Sequence, residues 1–278
     1  MDYSYYFADF TDDKESVRVI HHLINREYQI KVRVDDRELI KTNACRVIPI
    51  AADLVDVAVA VYIADWLSPQ KEDRPHDIYI NLPLRHPDVF RRPSVYTCLQ
   101  KLLRWYTQNN WHFVFKSRTK LGRVTECTQK LHLPTDNIPV EVSLWSGGLD
   151  SLAGLYNRSV QRTSASYELI GIGNGKYTQG KQKEIANAVM EDRNLRIKLI
   201  QLPIQLHYSK PQPPRNPSFR VRGFTFKLIG AVCAFLEEQQ KLYVYENGFG
   251  AINLPYLLSE IGLAHTRSVH PNSVDHES

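Results

Sequence analysis

The sequence predicts an α/β protein in which a parallel, doubly wound sheet follows an α+β N-terminal unit. Three observations carry this. From Val140 onward, short apolar segments alternate with helical ones, the pattern of a parallel sheet covered on both faces. The first half is dense instead in strand-like runs with period-two alternation. Between them, 130–139 carries two prolines and Asp136-Asn137 and reads as a linker, which divides the chain into 1–136 and 137–278.

Length and composition agree. A chain of 278 residues suits two domains, and 43% apolar with 23% charged residues excludes wholesale disorder. The longest nearly apolar run, 57–64, is far short of the ~20 residues a membrane helix needs. Asp2, Asp9, Asp12 and Asp13 leave no basic start for a signal peptide, so the expected setting is the cytoplasm, with no membrane partner. The net charge of +5 fits a phosphate-bearing ligand or weak nucleic-acid contact. Cys45, Cys98, Cys127 and Cys233 lie too far apart for a zinc knuckle and read as reduced, mostly buried thiols.

In the first half, Tyr28-Gln-Ile-Lys-Val-Arg-Val34 alternates strictly, and 77–82 and 111–115 are similar. Helical patterns cover 52–66 and 94–108, the second with Leu99, Leu102, Leu103 and Tyr106 on one face. This half offers no catalytic constellation. The basic stretch Lys116, Arg118, Lys120, Arg123 and Lys130 reads either as a solvated charged loop or as a dock for a protein partner or nucleic acid. In the second half, strands over 140–145, 168–173, 195–202 and 242–245 alternate with helices over 149–158, 179–193 and 220–238. Ligands of such sheets bind beyond the carboxyl ends of the strands.

The turn after the first of these strands reads Ser146-Gly-Gly-Leu-Asp-Ser151. A chance match to Ser-Gly-Gly-x-Asp-Ser in a chain this long has odds of roughly 1 in 2,000. Gly147 and Gly148 let backbone N–H groups approach phosphate oxygens, and Leu149 contributes its backbone. Ser146 and Ser151 add hydroxyls, and the following helix turns its positive end to the same spot. Asp150 suits a magnesium ion bridging phosphates, or the helix start itself. The loop lacks the lysine of a P-loop, and the lookalike Gly171-Ile-Gly-Asn-Gly-Lys-Tyr177 has tyrosine where Ser or Thr is required.

The loop resembles the pyrophosphate loop of ATP pyrophosphatases, which include GMP synthetase, NAD synthetase, tRNA thiolation enzymes and 7-cyano-7-deazaguanine synthase. The resemblance implies an adenine nucleotide alpha hydrolase-like fold. It also implies cleavage of ATP between its α- and β-phosphates, adenylation of a carboxylate or carbonyl oxygen, and displacement of AMP by nitrogen or sulfur.

Three segments narrow the branch. Tyr177-Thr-Gln179 with Glu184 is similar to the Tyr-Gly-Gln and glutamate that open the second helix of the 7-cyano-7-deazaguanine synthases, although any polar helix start reads alike. Arg220 and Arg222 at a helix N-terminus oppose the helix dipole, which bound pyrophosphate would relieve; a solvated basic turn is the alternative. Glu246-Asn-Gly248, Asn253-Leu-Pro255 and Thr266-Arg267 with His270-Pro271 resemble the synthase-like proteins of bacterial anti-phage defence islands. Asp53, Asp56 and Asp65, with Leu82-Pro-Leu-Arg85 and Trp111, look similar to the N-terminal extension of those proteins.

The resemblance implies that Ser146, Gly147, Gly148, Leu149 and Ser151 cradle pyrophosphate and that Asp150 holds magnesium. Arg220 and Arg222 would neutralise the leaving group. Glu246, Asn247, Gly248 and Asn253 would read a purine-like base, and Arg267 and His270 the acceptor. The implied reactants are ATP, a 7-deazaguanine-like base and ammonia, with protein partners from a defence operon. The four-cysteine zinc site of the housekeeping synthase has no counterpart, so zinc is not supported within this chain. Either this branch lacks the metal or the chain is truncated. Two alternatives stay open. One is the same ATP chemistry on another acceptor (tRNA thiolation, or protein or DNA modification), which the apolar setting of Cys233 disfavours. The other is a non-catalytic nucleotide-binding subunit.

Overall fold

The computed structural model describes residues 2–8, 15–42, 47–69, 75–119, 124–127, 139–162, 165–172, 175–208, 211–216 and 220–245. It is an α/β protein with one mixed and one all-parallel sheet.

The mixed sheet has six strands: β1 (Tyr3–Phe7), β2 (Glu15–His21), β3 (Arg26–Val34), β4 (Asp77–Leu84), β5 (Asn110–Ser117) and β9 (Ile204–Tyr208). Their order is β5-β4-β1-β2-β3-β9. β1, β4 and β5 are parallel, while β2, β3 and β9 join antiparallel. Alternation sets the register in β3, where Tyr28, Ile30, Val32 and Val34 are buried and the residues between them exposed. Helix α1 (Pro49–Trp66) leads into β4, and α2 (Pro87–Arg91) and α3 (Pro93–Thr107) join β4 to β5. The first half therefore contains parallel strands with a helical crossover, which its strand-dense sequence does not suggest.

The parallel sheet holds β6 (Val140–Leu144), β7 (Ser166–Ile172), β8 (Arg196–Leu202) and β10 (Leu242–Tyr243), in the order β10-β6-β7-β8. Helices α5 (Leu149–Gln161) and α6 (Lys176–Arg193) cover one face, packing Leu155, Ala186 and Val189 on Tyr167 and Leu169. On the other face α7 (Arg222–Leu236) meets Ile170 and Ile172 in the larger apolar cluster. The short α4 (Val124–Cys127) completes the described helices.

Two departures from the sequence reading shape the molecule. β1, β2 and β9 go unread from the sequence, and β9 switches sheets. Pro203 has no N–H to continue the β7–β8 ladder, and beyond it the chain pairs antiparallel with β3, from Ile204↔Val34 to Tyr208↔Ile30. The second half thus supplies an edge strand to the sheet of the first. The two halves also share one apolar cluster, which runs from β1, β4 and α1 to α7, β7 and β8. The boundary read at 136 lies outside the described residues.

α1 is buried on all sides because α7 packs on it, with Thr225 Oγ1 donating to the Ala58 carbonyl at 3.4 Å. On α3, Leu103 is buried but Leu102 is 40% exposed, so the apolar face is narrower than its leucines suggest. Cys98 is exposed, against the expectation of mostly buried thiols, whereas Cys233 is buried. Arg118 does not belong to a solvated basic loop: its side chain is buried 3.6 Å from Asp56. Among the described residues no helix is long and apolar enough to cross a membrane.

Candidate functional site

β6 delivers the chain to the centre of the parallel sheet. Beyond Leu144 the ladder continues for one bond, from Trp145 N–H to the Ile170 carbonyl at 2.8 Å, and the chain then turns away. Trp145 is 1% exposed, with its indole Nε1 donating to the Gln182 carbonyl at 3.0 Å. The Gln182 carboxamide returns a bond from Nε2 to the Trp145 carbonyl at 3.1 Å. These two bonds fix the point at which the loop begins.

Gly147 then adopts φ +70, a conformation that costs any L side chain. A Cβ there would also sit 3.1 Å from Gln182 Cα and Cγ. The backbone conformation therefore favours glycine, and a side chain would in addition have to displace Gln182 by a few tenths of an ångström. Gly148 is the extended N-cap of α5, and its carbonyl accepts the first intrahelical bond, from Leu152 N–H at 3.0 Å. Ser146 Oγ accepts from Gly148 N–H at 3.1 Å and lies 3.1 Å from Ser151 Oγ, which donates to the Gly148 carbonyl at 2.9 Å. Both serine hydroxyls thus hold the turn in shape.

The N–H groups of Leu149, Asp150 and Ser151 precede the first intrahelical donor, and the helix dipole adds positive potential where they emerge. The Leu149 side chain is 78% exposed, leaving its backbone as its contribution, and Asp150 is exposed in the first turn. Since β10 and β7 flank β6 on opposite sides, the crevice beyond β6 is where the strand order reverses, the favoured ligand position in open parallel sheets.

Arg220 lies in the turn just before α7, which starts two residues later than the sequence suggests; it is anchored by Nη1 donating to the Thr107 carbonyl at 2.9 Å, and it faces Asp65. Burial holds its guanidinium below the ordinary arginine range, while burial raises Asp65 to about 6 against the opposing pull of the Val221 N–H and Arg220. Arg222 lies with its guanidinium 5.0 Å from the centroid of the Phe226 ring. Tyr177 is 78% exposed, and Glu184 pairs at the surface with Lys181 at 2.7 Å. Gln179 offers its carbonyl to Gln201 Nε2 at 2.9 Å. Glu246, Asn247, Gly248, Asn253, Arg267 and His270 lie outside the described residues.

The structure thus brings together Ser146, Gly147, Gly148, Leu149, Asp150 and Ser151, and adds Trp145, Gln182 and Gln201, which sequence reasoning passed over. A signal for Gln182 exists: it falls on the same helical stripe as Ile185, Ala186 and Val189, an apolar face in which a glutamine needs partners. Beside the carboxyl end of β8, a cavity of ≈ 400 Å³ is walled by Asp35, Arg37, Glu38, Gln179, Gln201 and Pro203. A larger, apolar groove between α5 and α6 is lined by Leu152, Tyr156, Val160 and Ile185.

Among the described residues no three His, Cys, Asp or Glu side chains form a metal-binding group. A single carboxylate at the loop suits magnesium, which takes one or two carboxylates together with substrate phosphates. Comparison of the chain with protein-family models, with curated proteins and with solved structures finds no match.

Proposed function

We propose that the protein is an ATP pyrophosphatase-type ligase with a doubly wound, adenine nucleotide alpha hydrolase-like second half. In this reading it adenylates a carboxylate on a 7-deazaguanine-like base and converts it to an amide or nitrile with ammonia, releasing AMP and pyrophosphate. The observation that carries the proposal is the Ser146–Ser151 loop. It combines a specific motif, a glycine held at φ +70 and a helix N-terminus at the sheet's strand-order reversal.

The residues divide the work. Backbone N–H groups at 149–151 hold pyrophosphate oxygens, and the two serine hydroxyls keep the turn open for them. Asp150 holds magnesium, which when bound neutralises charge on the phosphates. A substrate carboxylate oxygen attacks the α-phosphorus, and the bond to the β-phosphate oxygen breaks as pyrophosphate leaves. Ammonia then attacks the acyl carbon and loses a proton as AMP departs, leaving the amide; the nitrile takes a second ATP, which adenylates the amide oxygen so that it leaves with AMP. No side-chain nucleophile is needed, because positioning and charge stabilisation carry adenylyl transfer.

Arg222, the first residue of α7, and Arg220, which also holds the Thr107 carbonyl and faces Asp65, are the proposed charge partners of the leaving group. Sulfur transfer gains no support from Cys233, which is fully buried with its thiol pushed well up by desolvation and by Glu168 and Glu237. The proposed setting is bacterial anti-phage defence, with partner proteins of the same system.

The test is product formation from ATP and magnesium with 7-carboxy-7-deazaguanine and ammonia, beside Asp150→Ala. AMP and pyrophosphate that require the base and vanish in the variant are the expected result. Nucleotide binding without turnover would favour a non-catalytic subunit or another acceptor, and no binding at all would remove the basis of the proposal.

A further inference from the structure

The loop is tied to the first half of the chain by a continuous line of hydrogen bonds. Glu38, in the single-turn helix Arg37–Lys41 after β3, accepts the Gln201 backbone N–H on Oε2 at 2.5 Å. Gln201, near the end of β8, donates from Nε2 to Gln182 Oε1 at 3.0 Å and to the Gln179 carbonyl at 2.9 Å, which uses both amide hydrogens. Gln182, 1% exposed, then clamps Trp145 at the mouth of the loop and lies beside Gly147, where an added Cβ would sit 3.1 Å from its Cα. Gly171 leaves the room required, since a Cβ there would lie 2.6 Å from Gln182 Oε1.

Each link is specific. Gln182 needs a donor on its Oε1 and an acceptor for its Nε2, and Gln201 and Trp145 supply them. A buried carboxamide without such partners is costly, so the line is held or lost as a unit. Gln201 is seated by its place opposite Gly171 in the β7–β8 ladder and, on its other edge, by Glu38, which belongs to the other sheet's half of the molecule.

We propose that Glu38, Gln201 and Gln182 are positioning residues through which the first half of the chain sets the geometry of the 146–151 loop. Displacing the Arg37–Lys41 turn from β8 then loosens the loop and weakens its hold on pyrophosphate. The consequence for pyrophosphate rests on the reading of the loop as a phosphate site; the mechanical coupling does not.

The experiment compares full-length wild type, Glu38→Ala and Glu38→Gln by amide hydrogen exchange without ligand, and by the Kd for inorganic pyrophosphate with magnesium. Glu38→Ala removes the acceptor and is expected to speed exchange at 145–152 by about tenfold, with α7 unchanged, and to weaken pyrophosphate binding by about tenfold. Glu38→Gln keeps an acceptor oxygen and restores both to near wild type. Unchanged exchange at 145–152 in Glu38→Ala overturns the proposal, as does a uniform rise that includes α7. If exchange responds as expected but wild type binds no pyrophosphate, the coupling stands and the phosphate reading of the loop falls.

Discussion

Gly147 is the residue on which loop geometry turns, because its left-handed backbone strains any side chain and an added Cβ, 3.1 Å from Gln182, would also have to push that residue back. Gly147→Ala is expected to cost about 1–2 kcal/mol in folding stability and to abolish nucleotide binding, read by thermal denaturation and by titration calorimetry with MgATP. Asp150 behaves in the opposite way. It is exposed in the first turn of α5, so Asp150→Ala should change stability by less than ~1 kcal/mol while eliminating magnesium-dependent pyrophosphate release. Retained activity in that variant would contradict the role given to the carboxylate. The motif itself was legible in the sequence because its residues are adjacent. The clamp on it was not, since Trp145 and Gln182 meet only after a strand and most of a helix have folded between them.

At the scale of elements, α1 depends on a buried charge network. Asp53, fully buried, accepts the backbone N–H groups of Arg85 and His86 at 2.8 Å each and so caps the end of β4. The Arg85 guanidinium is shared between Asp53, Asp56 and Glu126, which keeps it above the ordinary arginine range despite its burial. Arg85→Met should therefore cost ~3–5 kcal/mol, by stranding buried carboxylates, and a Tm close to wild type would show that the network contributes little. This network explains why aspartates interrupt an otherwise apolar helix and why Leu82-Pro-Leu-Arg85 ends in arginine, roles that sequence spacing alone does not disclose. Most helices and alternating strands were readable from periodicity. β1 and β2 were not, their aromatic and mixed runs giving weaker signals, and β9 was masked by the proline before it.

Across the whole molecule, the parallel sheet is tied to α7, and through α7 to α1 and the mixed sheet. Part of that tie is ionic: Lys198 Nζ lies 3.1 Å from Glu168 and 3.4 Å from Glu237. Burial first, and then the hydrogen bond and charge of Glu237, raise Glu168 to about 8. The folded state therefore keeps a proton that the unfolded chain releases near the ordinary glutamate value, so stability falls as pH rises between about 4.5 and about 8 and levels off above. Glu168→Gln should flatten that fall and raise Tm at the alkaline end, measured by melting across this window; an unaltered pH profile would place the dependence elsewhere. The arrangement of sheets was the least legible feature. A strand that leaves one sheet at Pro203 to pair with β3, far away in the chain, carries no local signature.

The loop after β6 is proposed to hold the pyrophosphate of ATP, so that cleavage falls between the α- and β-phosphates. Phosphorus NMR of the products, from wild-type protein with MgATP, 7-carboxy-7-deazaguanine and ammonia, tests it most directly. AMP and pyrophosphate in equal amounts are the predicted products. ADP and inorganic phosphate would contradict the account, because they would place the reacting bond where this loop holds a group that stays intact.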